Sequence, residues 1–202
     1  MDSLPLTAEL LPAAGEALEP TQSPLALALR QVRRPLLCTR GGELVAANAP
    51  AAGLAYVPAL PLDRLGDAAF LADHRLDQAY VAGAMANGIA SVDLVDAVAR
   101  AGLLGFFGAA GLRLEAVTAA IRELKARLGD RTFGVNVIHS PSEPNLEAAV
   151  AELCCREGVG VVEASAFLDL TLPIVRYRLA GIRELPDGTI DVPHRVVAKV
   201  SR

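Results

Sequence analysis

Polar side chains stand at the ends of apolar runs in this sequence, and they are the residues best suited to do chemistry. Asn136 interrupts one run, His139 follows just after it, and Lys199 lies in the last run. A histidine can orient a substrate or donate a proton, a buried amide needs hydrogen-bond partners, and a buried lysine is costly without an anion. The pattern predicts a ligand site, although backbone partners would satisfy Asn136 equally and a loop histidine before Ser140-Pro141 also suits a structural role.

Five apolar runs alternate with helical patterns after residue 78, and their order indicates which fold carries these side chains. Ser91 is suited to cap the first helix, and a glycine follows each helix where a stop is needed. The strands are predicted at 79–83, 103–107, 133–138, 159–164 and 195–200. Because the runs are apolar on both faces, they indicate a parallel sheet covered by helices, either an open doubly wound sheet or part of a (β/α) barrel.

The glycine patterns disfavour an open nucleotide-binding sheet. The turn after the first strand reads Gly83-Ala-Met-Ala-Asn-Gly, and the later Gly105-Phe-Phe-Gly-Ala-Ala-Gly has the wrong spacing for GxGxxG. A barrel expects function at the carboxyl ends of its strands, where the unusual residues fall. These residues are Met85, Asn87, Gly88, Phe106, Phe107, Gly108, Asn136, His139, Glu163, Ser165, Lys199 and Ser201. We therefore predict an α/β fold, a partial TIM barrel of about five parallel strands, with Glu163 and Ser165 lining its mouth.

A complete barrel has eight strands and roughly 250 residues, so five strands predict a truncated barrel and an N-terminal portion of a longer protein. Its first and fifth strands would expose unpaired edges, and side chains of the barrel interior would face water. Association into a homo-oligomer or an aggregate is the expected result.

The remainder of the chain divides into a leader and a small β subdomain. Residues 1–34 are rich in Pro and Ala and predict a loosely ordered leader, with short helices near 8–11 and 25–30. Residues 35–77 hold two apolar runs around Gly41-Gly42, which favour a β-hairpin, and then a connector. His74 in that connector and His194 further along are expected to be solvated. The barrel portion covers residues 78–202.

Composition argues against several classes of partner and site. The formal net charge of −4 offers no basic footprint for nucleic acid. No apolar run is long enough to cross a bilayer, and the acidic start lacks the pattern of a secretory signal. The three cysteines form neither a disulfide framework nor a metal-binding CxxC pattern, so Cys154 and Cys155 are expected as small core residues. A reducing cytoplasm is the expected location.

Four blocks of the sequence resemble one family in order and spacing. They are Tyr80-Val-Ala-Gly-Ala-Met-Ala-Asn-Gly-Ile-Ala-Ser, Gly105-Phe-Phe-Gly-Ala-Ala-Gly-Leu, Phe133-Gly-Val-Asn-Val-Ile-His-Ser-Pro and Val197-Ala-Lys-Val-Ser-Arg. The family is the PfaD-type trans-acting enoyl reductases of polyketide and polyunsaturated fatty acid synthases. It is a branch of the nitronate monooxygenase (2-nitropropane dioxygenase) superfamily of FMN-bound TIM barrels. The resemblance covers residues from about 35 to the end.

The resemblance implies a flavin site at defined residues. In the superfamily the turn after the first strand lies against the flavin ring, which places Gly83, Ala84 and Met85 at FMN. An Asn at the end of the third strand and a Lys at the end of a later one contact the cofactor, and Asn136 and Lys199 match them. Glycine permits close backbone approach, methionine packs well on an aromatic face, and a lysine or amide stabilises the negative charge of a reduced flavin.

The implied activity is FMN-dependent reduction of an enoyl thioester on an acyl carrier protein. NADPH is the implied reductant, synthase components are the implied partners, and His139 is the candidate catalytic residue. The family's glycine-rich phosphate cradle and its histidine loop belong to later strands, so they are expected beyond Arg202. Two alternatives stay open: flavin-dependent nitronate oxidation on the same barrel, or a non-catalytic remnant or module that docks on synthase proteins.

Overall fold

The computed structural model describes residues 9–10, 30, 33–38, 44–46 and 55–199, and the chain divides into two compact units between Leu65 and Gly66. The strands of the first unit are β1 (Glu9–Leu10), β2 (Leu36–Cys38), β3 (Leu44–Ala46) and β4 (Ala55–Val57). They pair antiparallel in the order β1-β3-β2-β4. A 3-10 turn at Leu62–Arg64 follows them.

The predicted hairpin is confirmed, because β2 pairs antiparallel with β3 and Leu37 lies opposite Val45. The helix expected near 8–11 is wrong at Glu9–Leu10, which pair with β3 instead. Pairing with a neighbouring strand outweighs a weak local helical preference. Of the second expected leader helix only Arg30 is described, and it is helical. The rest of that leader lies outside the described residues.

The second unit contains the five predicted strands and the four predicted helices in the predicted order, together with a helix and two short strands that were not predicted. Its elements are α1 (Ala68–His74), β5 (Val81–Ala82), α2 (Val92–Arg100), β6 (Leu104–Phe107), α3 (Leu114–Leu128), β7 (Gly134–Ile138), α4 (Pro144–Arg156), β8 (Val161–Ser165), α5 (Leu172–Leu179), β9 (Arg183–Glu184), β10 (Ile190–Asp191) and β11 (Arg195–Lys199). Ser91 caps α2 as predicted, because its Oγ accepts a hydrogen bond from Leu94 N–H at 3.2 Å. The predicted turn at 186–189 joins the antiparallel pair β9 and β10.

The five parallel strands lie side by side in the order β5-β6-β7-β8-β11, which is also their order along the chain. A doubly wound sheet reverses its strand order at a switch point, and this sheet does not. The helices α2, α3, α4 and α5 pack in one cluster against the sheet, which is the arrangement that right-handed crossovers between successive neighbours give in a (β/α) barrel. The predicted partial TIM barrel is therefore confirmed.

The two faces of this sheet carry different apolar groups. On the outer face, Val135 and Val137 pack with side chains from α2, α3, α4 and α5. On the inner face, Leu104, Phe106 and Val161 form a smaller cluster that side chains from α1 and the segment after it cover. Polar side chains on the inner face therefore lie beyond this apolar cluster, at the carboxyl ends of the strands.

The connector predicted at 58–77 contains a helix that the sequence pattern did not predict. Asp67 caps α1, because its carboxylate accepts the N–H of Ala69 at 2.8 Å. The expectation that His74 is solvated is wrong: it is 6% exposed, and its ring lies 4.6 Å from that of Phe70. The same expectation is wrong for His194, which is buried with Nδ1 3.0 Å from the carbonyl oxygen of Val159. Packing against aromatic and backbone groups explains both positions.

Acid is expected to destabilise this unit through His74. Burial, and then the charge of Arg195, lower the pKa of His74, whereas Asp73 raises it. Because its pKa is lowered on folding, His74 binds fewer protons in the folded chain than in the unfolded chain. Its contribution to stability is therefore complete above the ordinary histidine pKa of 6.5, and it is lost as the pH falls from 6.5 towards the lower pKa of the folded state. We expect the urea concentration at the unfolding midpoint to decrease when the pH is lowered from about 7.5 to about 5.5, and to decrease less in His74→Leu. An equal fall in both proteins would contradict this assignment.

The expectation that Cys154 is a core residue is confirmed, since it is 0% exposed, whereas Cys155 is only partly buried. Burial raises the pKa of the Cys154 thiol to about 12. A thiol with this pKa is inert at neutral pH, so Cys154 contributes packing and not nucleophilic chemistry. Across the described part of the chain, no helix has the length and apolar character needed to span a membrane.

Candidate functional site

The inner face of the sheet gathers polar side chains at the carboxyl ends of its strands. Side chains alternate between the two faces, so Asn136, which lies between two outer-facing valines of β7, belongs to the inner face. The register places Asn136 beside Glu163, and Lys199 beside Ser165. Strands β7, β8 and β11 thus bring an amide, a carboxylate and an ammonium group to the end of the sheet where (β/α) barrels carry their active sites.

Asn136 is buried and hydrogen-bonded to strand β8. Its Nδ2 donates to Ser165 Oγ at 2.8 Å, and it lies 3.4 Å from the carbonyl oxygen of Glu163 and 3.5 Å from Glu163 Oε2. Contacts of this length are weak, so the serine hydroxyl is the main partner. The amide therefore has side-chain partners as well as a backbone one, and it adjoins the carboxylate of the site.

Glu163 is the buried charge of the site, with 3% of its surface exposed. A carboxylate in such a place requires donors or a cation. Ala84 N–H donates to its Oε2 at 3.1 Å, and Lys199 Nζ lies 3.9 Å from the same oxygen. Lys199 also donates to the carbonyl oxygen of Ala84 at 3.1 Å. Ala84 is therefore bound at its N–H by the carboxylate and at its C=O by the ammonium group.

The backbone of the turn Gly83–Met85 makes the close contacts that hold the turn in place. A Cβ added at Gly83 would lie 3.0 Å from Glu163 Oε1, so glycine lets the carboxylate approach the chain. On another side the turn touches Gly108, where an added Cβ would lie only 1.7 Å from the carbonyl oxygen of Met85. The Met85 side chain itself is 44% exposed. The turn thus presents a nearly bare backbone and one flexible apolar side chain.

His139 belongs to a second polar group. Its Nδ1 lies 2.7 Å from Glu147 Oε2, and Thr171 donates to the other oxygen of that carboxylate. Glu147 is 4% exposed and lies in the first turn of α4, where the helix dipole favours an anion. The imidazole also packs against Phe167, with 5.4 Å between ring centroids. Because Glu147 engages Nδ1, Nε2 is the ring nitrogen suited to contact a ligand.

A small cavity adjoins both polar groups. Asn136 and Glu147 line it, together with the apolar side chains of Ala109, Ala110, Ile138, Leu146 and Val150. Ligand sites are typically apolar with a few placed polar groups. The cavity has room for little more than a water molecule, but its lining places apolar side chains beside both polar groups.

The structure brings most of the predicted site residues together. Gly83, Ala84, Asn136 and Lys199 meet around the Glu163 carboxylate, and Met85 adjoins them through its backbone. The described contacts of His139 are instead with Glu147 and Phe167, in the second group. The roles of these residues toward a cofactor stay predictions.

Two buried glutamates carry more of the site than the sequence indicates. Glu163, predicted only to line the barrel mouth, is the acceptor at the centre of the first group. Glu147 was not predicted, although it shares the buried face of α4 with Val150, Ala151 and Cys154 at helical spacing. A glutamate at a core-facing helix position is costly without partners, so that spacing is the signal which identifies it.

The group around Ala84 fits the ring of a flavin. A turn of Gly83 and Ala84 lets a flat ring approach the backbone, and Lys199, whose side chain is 49% exposed, presents an ammonium group beside it. A flavin ring carries carbonyl and nitrogen acceptors along one edge, which a lysine or an amide stabilises. The donors and the bare turn therefore match the chemistry of that ring edge.

Comparison with known proteins identifies relatives over the barrel portion. Residues 70–167 match the family described as Nitronate monooxygenase. One of the polyunsaturated fatty acid synthase proteins of Thraustochytrium sp. is 44% identical over 141 residues, which are 70% of this chain and 9% of that protein. Polyketide biosynthesis protein PksE of Bacillus subtilis is 40% identical over 141 residues, 69% of this chain and 18% of that protein. The chain thus spans less than a fifth of the length of either curated relative.

A solved structure with a related fold is the enoyl reductase domain of MlnA from the macrolactin biosynthesis cluster of Bacillus amyloliquefaciens. It superposes with a TM-score of 0.66 and 34% sequence identity, covering 70% of this chain and 33% of that one. The half-barrel of parallel strands described above is therefore shared with an enoyl reductase domain.

Proposed function

We propose, from the match of residues 70–167 to the family described as Nitronate monooxygenase, that this chain is part of a flavin-dependent enoyl reductase serving a polyketide or polyunsaturated fatty acid synthase. The cofactor is FMN, the reductant is NADPH, and the substrate is an enoyl thioester on an acyl carrier protein. The proposed location is the cytoplasm, and the synthase components are the proposed partners. The kinship with synthase proteins and with an enoyl reductase domain supports this assignment.

The observation that carries the proposal is the bond of Lys199 Nζ to the Ala84 carbonyl oxygen, beside the nearly bare backbone of Gly83 and Ala84. Bound FMN would supply the redox chemistry between NADPH and the carbon–carbon double bond. The Gly83–Met85 backbone would pack against the ring, and Met85 would cover part of it. Lys199 and Asn136 would donate N–H groups to its acceptor edge, where they favour added negative charge.

His139 is the proposed source of a proton for the substrate. Its Nδ1 contact with Glu147 fixes the orientation of the imidazole and directs Nε2 away from the carboxylate. The apolar side chains of Ala109, Ile138 and Val150 near Asn136 are the proposed contacts for the acyl part of the substrate. Orientation by a second group is what a general acid requires, since proton transfer depends on geometry before it depends on pKa.

Flavin binding and turnover together test this proposal. Titration of the purified full-length protein into FMN is expected to quench flavin fluorescence saturably, and its NADPH oxidation is expected to depend on an enoyl thioester carried by an acyl carrier protein. Turnover of an alkyl nitronate in place of the thioester would favour the oxidase chemistry after which the matched family is named. Carrier-protein binding without FMN binding would instead indicate a docking module, and would contradict the enzyme.

A further inference from the structure

One carboxylate oxygen connects three separate strands of the inner face. Glu163 Oε2 accepts the N–H of Ala84 at 3.1 Å, and it lies 3.5 Å from Asn136 Nδ2 and 3.9 Å from Lys199 Nζ. Ala84 follows β5, Asn136 belongs to β7, and Lys199 ends β11. Donors from three parts of the chain thus converge on a single acceptor.

Stability alone is a weak explanation for this buried charge. Replacing a buried ion pair by apolar side chains of similar volume is often neutral or stabilising. Here the contacts to Asn136 and Lys199 are long, so the Ala84 amide is the closest of the three donors to the carboxylate. A buried carboxylate whose shortest contact is to a turn amide points to control of that turn.

The Ala84 peptide groups are what Glu163 fixes in place. Ala84 is 8% exposed, so its N–H has little access to water if the carboxylate is removed. Lys199 binds the C=O of the same residue, and Glu163 lies close enough to influence where that ammonium rests. Gly83 leaves the space through which the carboxylate reaches the backbone. Two consecutive peptide groups are therefore oriented by one pair of opposite charges.

We propose that Glu163 is a positioning residue, whose carboxylate orients the Ala84 peptide and the Lys199 ammonium group toward a flavin ring edge bound at Gly83–Met85. The inference rests on the proposed function for the identity of that ligand. The orientation of the turn by Glu163 is a property of the protein without ligand, and it is therefore measurable separately.

Amide hydrogen exchange at Ala84, followed by NMR on the whole chain, tests this role. Glu163→Leu fills the space but removes the acceptor, and the Ala84 amide is expected to exchange at least about tenfold faster. Glu163→Gln keeps an oxygen acceptor, so exchange is expected to stay within about threefold of the wild type. The affinity for FMN should follow the same order, with a loss of about tenfold in Glu163→Leu and recovery in Glu163→Gln.

Glu147→Leu is the matched control, because Glu147 is equally buried and contacts His139 and Thr171 instead of the turn. It should leave exchange at Ala84 unchanged. Unaltered exchange in a folded Glu163→Leu, or equal acceleration in Glu147→Leu, would overturn the proposal. If Glu163→Leu does not fold, Glu163→Gln tests the proposal instead. Its neutral acceptor is expected to shift the NMR signal of the Ala84 amide proton upfield, and an unchanged chemical shift would contradict the positioning role. If the wild type does not bind FMN but Glu163→Leu still accelerates exchange at Ala84, the proposed ligand is wrong and the positioning of the turn by Glu163 stands.

Discussion

Gly108→Ala is expected to lower the free energy of unfolding by about 3 kcal/mol. This is the upper end of the usual cost of inserting a methyl group into a well-packed site, because the contact at Gly108 is with rigid backbone. The added methyl group would lie 1.7 Å from the carbonyl oxygen of Met85 and 2.7 Å from its carbonyl carbon. Backbone cannot yield easily here, because Gly108 N–H donates to Ala90 O at 3.0 Å and Gly88 N–H donates to Gly108 O at 3.0 Å. Relief of the clash therefore requires the turn after β5 to move.

Urea denaturation followed by circular dichroism measures this change, and Gly160→Ala provides the control. A Cβ at Gly160 would meet only the carbonyl oxygen of Pro193, at an ordinary 3.6 Å. Its cost is expected to stay below about 1 kcal/mol. Equal stability of the two variants would show that the contact between Gly108 and Met85 is looser than described.

Lys199→Met is expected to lower the free energy of unfolding by about 2 kcal/mol, because it leaves the buried Glu163 carboxylate without its cation. The Lys199 side chain is half exposed and 3.9 Å from Glu163, so the loss should be smaller than for a fully buried pair. Adding Glu163→Gln to Lys199→Met removes the orphaned charge and is expected to restore most of the stability. A double-mutant cycle in urea measures this coupling.

Lys125→Met is the natural control for that cycle, since Lys125 and Lys199 are the two lysines of the chain. Lys125 lies on the exposed surface of α3 and donates to the carbonyl oxygen of Glu157 at 2.7 Å. Its replacement should cost no more than about 0.5 kcal/mol. Additive losses in Lys199→Met and Glu163→Gln, with no recovery in the double variant, would contradict a charge pair.

The parallel sheet was predictable because its strands are short, apolar on both faces and separated by helices that end at glycines. Helix α1 was not, because Pro58, Pro61 and Gly66 suggest a connector, while the helix depends on the Asp67 cap and on packing of Phe70 against the inner cluster. The strand at Glu9–Leu10 likewise depends on its partner β3. Local sequence does not contain these tertiary contacts.

The site shows the same division. The positions of Asn136 and Lys199 at strand ends, together with a parallel sheet, place both at one end of the fold. The hydrogen bond between Ala84 and Glu163 joins residues 79 positions apart, and no spacing in the sequence predicts it. Glu147 is the intermediate case, because its helical spacing marks it as buried but its partners His139 and Thr171 come from other segments.

The distances along the chain between Ala84 and its partners also set the order in which the site is assembled. The partner of the Ala84 N–H is Glu163, which lies 79 positions downstream. The partner of the Ala84 C=O is Lys199, which lies 115 positions downstream. Contacts of such high sequence separation carry a loop-closure cost and form slowly. During synthesis, the turn after β5 therefore leaves the ribosome long before either partner exists. The flavin contact proposed for this turn requires the fifth parallel strand to dock, so cofactor capture is expected to be a late event in folding.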